Sequence, residues 1–184
     1  MHIQTARSLV MVLTLALTAA LSAPAVAASK TELESSSKSA LSKLIATVPA
    51  AKALSAKAVA VLVFPSITKA GFLIGGQYGE GVLWRDGKAT AYYNTTGASY
   101  GLQAGAQKYG YAMFFMRQKA LDALNTAEGF EVGVGPSVVV MDEGMGKSTT
   151  TNTMQDDVYA FIFSQKGLMA GLGIQGNKIT KLDK

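Results

Sequence analysis

The sequence predicts an α+β protein: an antiparallel, glycine-rich β-barrel or strongly bent sheet, with helices at its N-terminus and one further helix packed on it. Three observations predict this class. A serine-rich segment with helical spacing precedes a long β-rich region, short apolar or alternating runs then recur between turn residues, and no strand–helix–strand alternation appears. Glycines fall inside the extended runs, which favours sharp coiling over a flat sheet.

The first element is a leader. Met1 to Arg7 carries one positive charge, Leu9 to Ala23 has no ionisable residue, and Ala25-Val26-Ala27 supplies the small residues a signal peptidase reads. Residues 1–27 are therefore expected to be a signal peptide cleaved after Ala27, leaving residues 28–184 as a single domain in the periplasm or outside the cell. A retained anchor is the rival, because the apolar run approaches the length of a membrane span, but Pro24 and the small residues break it. No cysteine follows the apolar run, so lipidation of the bacterial lipoprotein kind is excluded.

Thr31-Glu32-Leu33-Glu34 fits a capping box with Thr31 as N-cap. Leu33, Ala40, Leu41, Leu44, Ile45 and Val48 then share one helical face, and Pro49 ends the helix. Lys38 and Lys43 lie on or beside the polar face, with Ser35, Ser36, Ser37, Ser39 and Ser42. A second short helix is expected over Ala50–Ala56, carrying Lys52 and Lys57. The amphipathic helix reads either as a lid on the sheet or as a basic surface for anionic lipid.

Val59–Phe64 reads as a buried strand closed by Pro65, and Gly71–Leu83 as a glycine-rich extended stretch. Asp86-Gly87 is a two-residue hairpin signal. Counting outward from it pairs Arg85 with Lys88, Trp84 with Ala89, Val82 with Ala91 and Gly81 with Tyr92. Val82, Trp84, Ala89, Ala91 and Tyr93 would then share a face, with Arg85 and Lys88 at the tip as a possible second anion site. Gly97–Gly110 is extended, Tyr111–Met116 apolar, and Arg117–Thr126 helical. Val132–Met141 is a strand interrupted at Gly135-Pro136, Asp142–Asp157 a polar loop, and Val158–Phe163 a strand. Leu168–Ile174 and Lys178–Leu182 are expected to close the fold as a hairpin about Gly176-Asn177.

The composition removes much chemistry. The chain has 184 residues, no cysteine, and a single histidine, His2, which lies in the leader. Cys/His zinc sites, Ser-His-Asp triads, cysteine nucleophiles and Fe–S clusters are thereby excluded from the mature protein. At this length a domain buries about 70% of its unfolded surface, enough to fold without metal or disulfide. Gly171–Gly176 matches a dinucleotide-binding pattern but lacks the following helix and acid, and Gly144–Ser148 lacks the first glycine of a phosphate loop. Gly97, Gly101 and Gly105 are spaced like a transmembrane packing stripe, which Gln103, Gln107 and Lys108 contradict. Asp142-Glu143 and Asp156-Asp157 flank one loop without calcium-loop spacing and are read as solvated acids. No catalytic residue, metal or cofactor is expected.

Three ordered glycine-rich segments carry a resemblance: residues 69–83 (KAGFLIGGQYGEGVL), 97–105 (GASYGLQAG) and 164–171 (SQKGLMAG). Together they resemble the SYLF domain family over about Leu33–Leu182, and the Gly171–Gly176 match becomes that family's last glycine-rich strand. The resemblance implies a lipid-binding module, with phosphoinositide binding and actin regulation described for eukaryotic relatives. An exported chain meets actin and phosphoinositides only inside a host, so anionic phospholipids or a membrane surface are the expected partners, and no nucleic acid. Lys38, Lys43, Lys52, Lys57 and Lys69 are expected to supply the attraction. Leu33, Leu41, Leu44 and Ile45 would pack or insert shallowly, and an apolar ligand inside the barrel is the other lipid arrangement. A structural or adhesive envelope protein with a protein partner is the alternative function. An enzyme built on carboxylates or tyrosines, or an outer-membrane barrel, is a more distant one.

Overall fold

A computed structural model describes residues 29–126, 129–132, 134–142, 155–167 and 176–184, without the side chains of 72, 73, 99–104 and 167. Helix α1 spans Lys30–Thr47 and α2 spans Pro49–Ser55. Two long strands follow, β1 (Ala60–Arg85) and β2 (Lys88–Phe115). A short helix α3 (Gln118–Asp122) continues as a 3-10 turn over Ala123–Asn125. The remaining strands are β3 (Phe130–Glu131), β4 (Val138–Asp142), β5 (Val158–Gly167) and β6 (Lys178–Leu182).

The frame is the β1–β2 hairpin, antiparallel from Ala60↔Phe115 to Arg85↔Lys88. The other edge of β2 is shared: β6 pairs with Tyr92–Thr96 and β5 with Gln107–Phe115. β3 adds to β6, and β4 adds to β5 in parallel, giving a sheet of six strands among the described residues. The parallel β4–β5 pair is a departure from the antiparallel pattern expected.

The hairpin does not lie flat. A β-carbon added at Gly79 would sit 2.5 Å from the Ile67 side chain, and one at Gly81 2.7 Å from the Val63 carbonyl oxygen. Residues 60–70 of β1 therefore pack face to face against residues 77–85, and only glycine allows backbone and side chain to meet so closely. The result is a curled half-barrel, the bent sheet expected from in-strand glycines. Its inside is filled by its own side chains, Phe64, Tyr93, Tyr111, Met113 and Phe115 among them, and is capped by Leu121 and Leu124 of α3 and its turn. On the outside, Leu44, Val48, Ala51 and Leu54 of α1 and α2 pack on Val61, Val63, Ala112 and Phe114. Leu33 continues this contact onto Val82 and Tyr92.

Several expectations are corrected. The α1 N-cap is Ser29, not Thr31: its hydroxyl accepts from the Glu32 amide at 3.3 Å, while the Glu32 carboxylate accepts from the Ser29 amide at 3.1 Å. Both offsets fit the same motif, and starting earlier adds backbone bonds to the helix. Ser37 is not on the polar face but fully buried, accepting from Trp84 Nε1 at 2.8 Å. Pro49 begins α2, where its missing amide costs nothing. Pro65 does not end a strand: β1 runs past it through a register shift between Phe64 and Ile67, so the absent N–H falls in a bulge.

Asp86 and Gly87 have φ of 50° and 74°, the conformation of the expected tight turn, and Trp84↔Ala89 holds. A bulge between Leu83 and Trp84 then slips the register by one, so Val82 faces Tyr92 and Gly81 faces Tyr93. The slip moves Ala91 and Tyr93 to the inside with Leu83, while Val82, Trp84 and Tyr92 face the helix. At the C-terminus, β6 pairs with Tyr92–Thr96 of β2 and, at Lys178 and Ile179, with β3. Its expected hairpin partner, 168–174, lies outside the described residues.

Candidate functional site

Helix α1 presents a defined outer face. Leu33, Ser37, Leu44 and Val48 form the buried stripe, and Ser35, Ser39, Ser42 and Ala46 form the exposed one. At ~100° per residue, Lys38 and Lys43 fall roughly 70° to either side of the exposed midline, straddling a face of small residues. Both are exposed, as are Lys52 on α2 and Lys57 in the following turn. Between Glu34 and Glu80 the sequence holds these four lysines and Lys69, and no acid. The acids of α1 are confined to its first turns and are engaged there. Glu32 closes the capping box, which holds its carboxyl below the ordinary range, and Glu34 accepts from the Tyr92 hydroxyl. Lys30 sits over the Tyr92 ring, 5.2 Å from its centroid.

The apolar face of α1 is used for packing. Leu33 and Leu44 are buried against the sheet, with Leu41 and Ile45 at its margin, so shallow insertion through these residues is not available while the helix is docked. Exposed large apolar side chains occur elsewhere: Ile74 (65% exposed) and Tyr78 share one outer face of β1 near the bend.

The other candidate cations separate. Arg85 and Lys88 are cross-strand neighbours at the exposed tip, as counted from the turn. Arg85 is tied to α3, donating to Gln118 Oε1 at 3.2 Å, and Gln118 in turn donates to Asp122. Lys69 is not on the helical surface at all. It is 6% exposed, on the same side of β1 as Ile67, pointing into the curl. The alternation Ile67–Lys69 is a signal that could have placed it inside. Sequence reasoning missed Lys108 and Lys166, exposed cross-strand partners on β2 and β5, because nothing short of the register brings them together.

The acidic loop lies largely outside the described residues. At its C-terminal end, Arg117 donates to Asp157 at 2.9 Å, and Asp156 accepts from the Tyr159 hydroxyl at 3.3 Å. Among the described residues, no three side chains are grouped to hold a metal, and no helix is long and apolar enough to cross a membrane.

Residues 96–184 match the model of the Ysc84 family, described as Las17-binding protein actin regulator. The SYLF resemblance is shown over residues 96–184. The match contains two of the three glycine-rich segments, those beginning at Gly97 and Ser164, and strands β5 and β6 with most of β2. The SYLF resemblance of β1, outside this match, rests on residues 69–83 quoted above. No curated protein matches the chain.

Proposed function

We propose that this protein is an exported lipid-binding module that docks peripherally on anionic phospholipid surfaces through α1, α2 and the turn after α2. The observation that carries this reading is the run from Ser35 to Gly79, which has no acid and holds Lys38, Lys43, Lys52 and Lys57 exposed on the helices and the following turn. Each lysine near an anionic surface contributes about 1 kcal/mol, so four contribute ~4 kcal/mol, roughly a thousandfold in partitioning. The contact is electrostatic and superficial, since the apolar side of α1 belongs to the core. Filling of the curl by aromatic side chains supports surface binding over an apolar ligand held inside. The family's description as Las17-binding favours a second reading, a protein partner at the cell envelope.

Export supports the choice of ordinary anionic phospholipids over phosphoinositides. Ser29 caps α1 two residues beyond the proposed cleavage after Ala27. N-terminal sequencing of protein from the cell envelope should give Ala28-Ser29-Lys30, and a start at Met1 would refute cleavage.

Reversal of Lys38, Lys43, Lys52 and Lys57 to Glu tests the surface. These positions are exposed and Glu is a good helix former, so the fold should persist. Binding to acidic vesicles should fall at least tenfold, a loss of ~1.4 kcal/mol. Arg85→Glu with Lys88→Glu is the comparison: loss of binding there, with the helix variant unaffected, would move the site to the hairpin tip.

A further inference from the structure

The interior of the curl carries a polar cluster that the surface mechanism does not use. Lys69 and Gln107 are cross-strand partners, 6% and 4% exposed, and both project to the inside with Ile67 and Tyr109. Lys69 stands between two close approaches of the folded hairpin. On one side Gly71 abuts Gly75, and on the other Ile67 abuts Gly79. It therefore faces Gln77, whose Oε1 accepts from the Tyr109 hydroxyl at 2.9 Å. Asn177, 3% exposed, reaches the same place from the start of β6. Its Oδ1 and Gln77 Nε2 lie 2.4 Å and 2.9 Å from where a Gly97 β-carbon would sit.

This cluster is incomplete in a specific way. Gln107 Oε1 and Asn177 Nδ2 are buried without a hydrogen-bond partner, and Lys69 makes no ion pair or hydrogen bond among the described residues. Buried amide atoms are nearly always satisfied, and the ammonium of a lysine as enclosed as Lys69 is ordinarily compensated by an opposite charge. Water can complete the amides but leaves the ammonium without a counter-charge. The unmet groups are a cation, an N–H donor and a carbonyl acceptor. Their complement is an oxyanion that also carries a hydroxyl. We propose that the inside of the bend is an oxyanion site, in which Lys69 and Asn177 Nδ2 hold anionic oxygens of a phosphate ester and Gln107 Oε1 accepts from its hydroxyl. This site is separate from the helix surface and does not depend on it.

The test uses inorganic phosphate and glycerol phosphate as soluble probes, against sodium chloride at equal ionic strength, with the melting temperature followed from ~1 to ~100 mM, since a ligand that binds only the folded state raises stability with concentration. Phosphate should raise the melting temperature of the wild type and of the quadruple helix-lysine variant alike, and leave Lys69→Met unmoved. Gln107→Glu places a carboxylate opposite Lys69: it should melt higher than the wild type without ligand and lose the phosphate response, which keeps the test valid if Lys69→Met fails to fold. Binding of glycerol phosphate in solution would identify a free ester as the source. Lys69-dependent binding only to vesicles bearing phosphate-monoester headgroups would identify a lipid. A wild type that responds to phosphate no more than to chloride, with no Lys69-dependent vesicle binding, overturns the proposal. So does a response that survives in Gln107→Glu or disappears in the helix variant.

Discussion

Substituting Gly81 by alanine tests whether the hairpin is folded on itself as described. The added methyl carbon would lie 2.7 Å from Phe64 Cδ1 and 2.7 Å from the Val63 carbonyl oxygen. Comfortable carbon contacts begin near 3.5 Å, so the two parts of β1 must separate by ~1 Å or Phe64 must leave its place in the core. Overpacking of this kind costs about 1–3 kcal/mol, and one obstacle here is backbone, which places Gly81→Ala toward the upper end. For a domain of this size each kcal/mol moves the melting temperature by about 2–4 °C, giving an expected loss of roughly 5–10 °C. Gly76→Ala is the reference, because a β-carbon there meets nothing within 4 Å and the backbone φ is not positive. It should change stability by less than ~0.5 kcal/mol. Thermal and urea unfolding followed by circular dichroism would measure both. Equal melting of the two variants would mean that the legs of β1 do not touch, and the half-barrel and its interior cluster would fall together.

Two further outcomes follow from the same geometry. Gly87→Val should destabilise by more than ~1 kcal/mol, because φ of 74° strains a β-branched residue; an unchanged denaturant midpoint would refute the turn assignment. Stability should also fall above pH ~10, the ordinary pKa of an exposed tyrosine. Burial raises Tyr109 to about 12 and pushes Tyr111 up further, so both stay protonated in the fold while the unfolded chain ionises. Their stabilisation is thus complete below about pH 10 and is lost as the pH rises toward the folded pKa. Melting temperatures across that range should show the decline, shallower in Tyr111→Phe, and a flat profile would contradict the burial of these hydroxyls.

Local chemistry was legible in the sequence and distant geometry was not. Asp86-Gly87 announces its own turn because positive φ is a property of those two residues. The slip that follows it is not announced, since the bulge near Trp84 satisfies the α1 packing of Val82 and Tyr92 as much as any local preference. Pro65 looked terminal because a missing N–H usually ends pairing, but a bulge absorbs it. The glycines were legible as a class, signalling curvature, yet which of them touch what depends on the fold-back that pairs residue 67 with residue 79. For the candidate site, the helix lysines lie where helical spacing puts them. Lys69 was grouped with them by charge alone, whereas its alternation with Ile67 turns it inward. Gln107 and Asn177 are unremarkable as sequence and become a cluster only when the bend brings β2 and the start of β6 to the same place.

Binding of the purified protein to vesicles of defined composition tests the proposed function most directly. Sedimentation with phosphatidylcholine alone and with a third of the lipid exchanged for an anionic phospholipid, each at low and high salt, separates charge from apolar contact. Exposed lysines are screened over about 8–10 Å at physiological ionic strength, so association should require the anionic lipid and weaken steadily as salt rises. Equal binding to neutral vesicles, or binding indifferent to salt, would contradict a mechanism carried by Lys38, Lys43, Lys52 and Lys57.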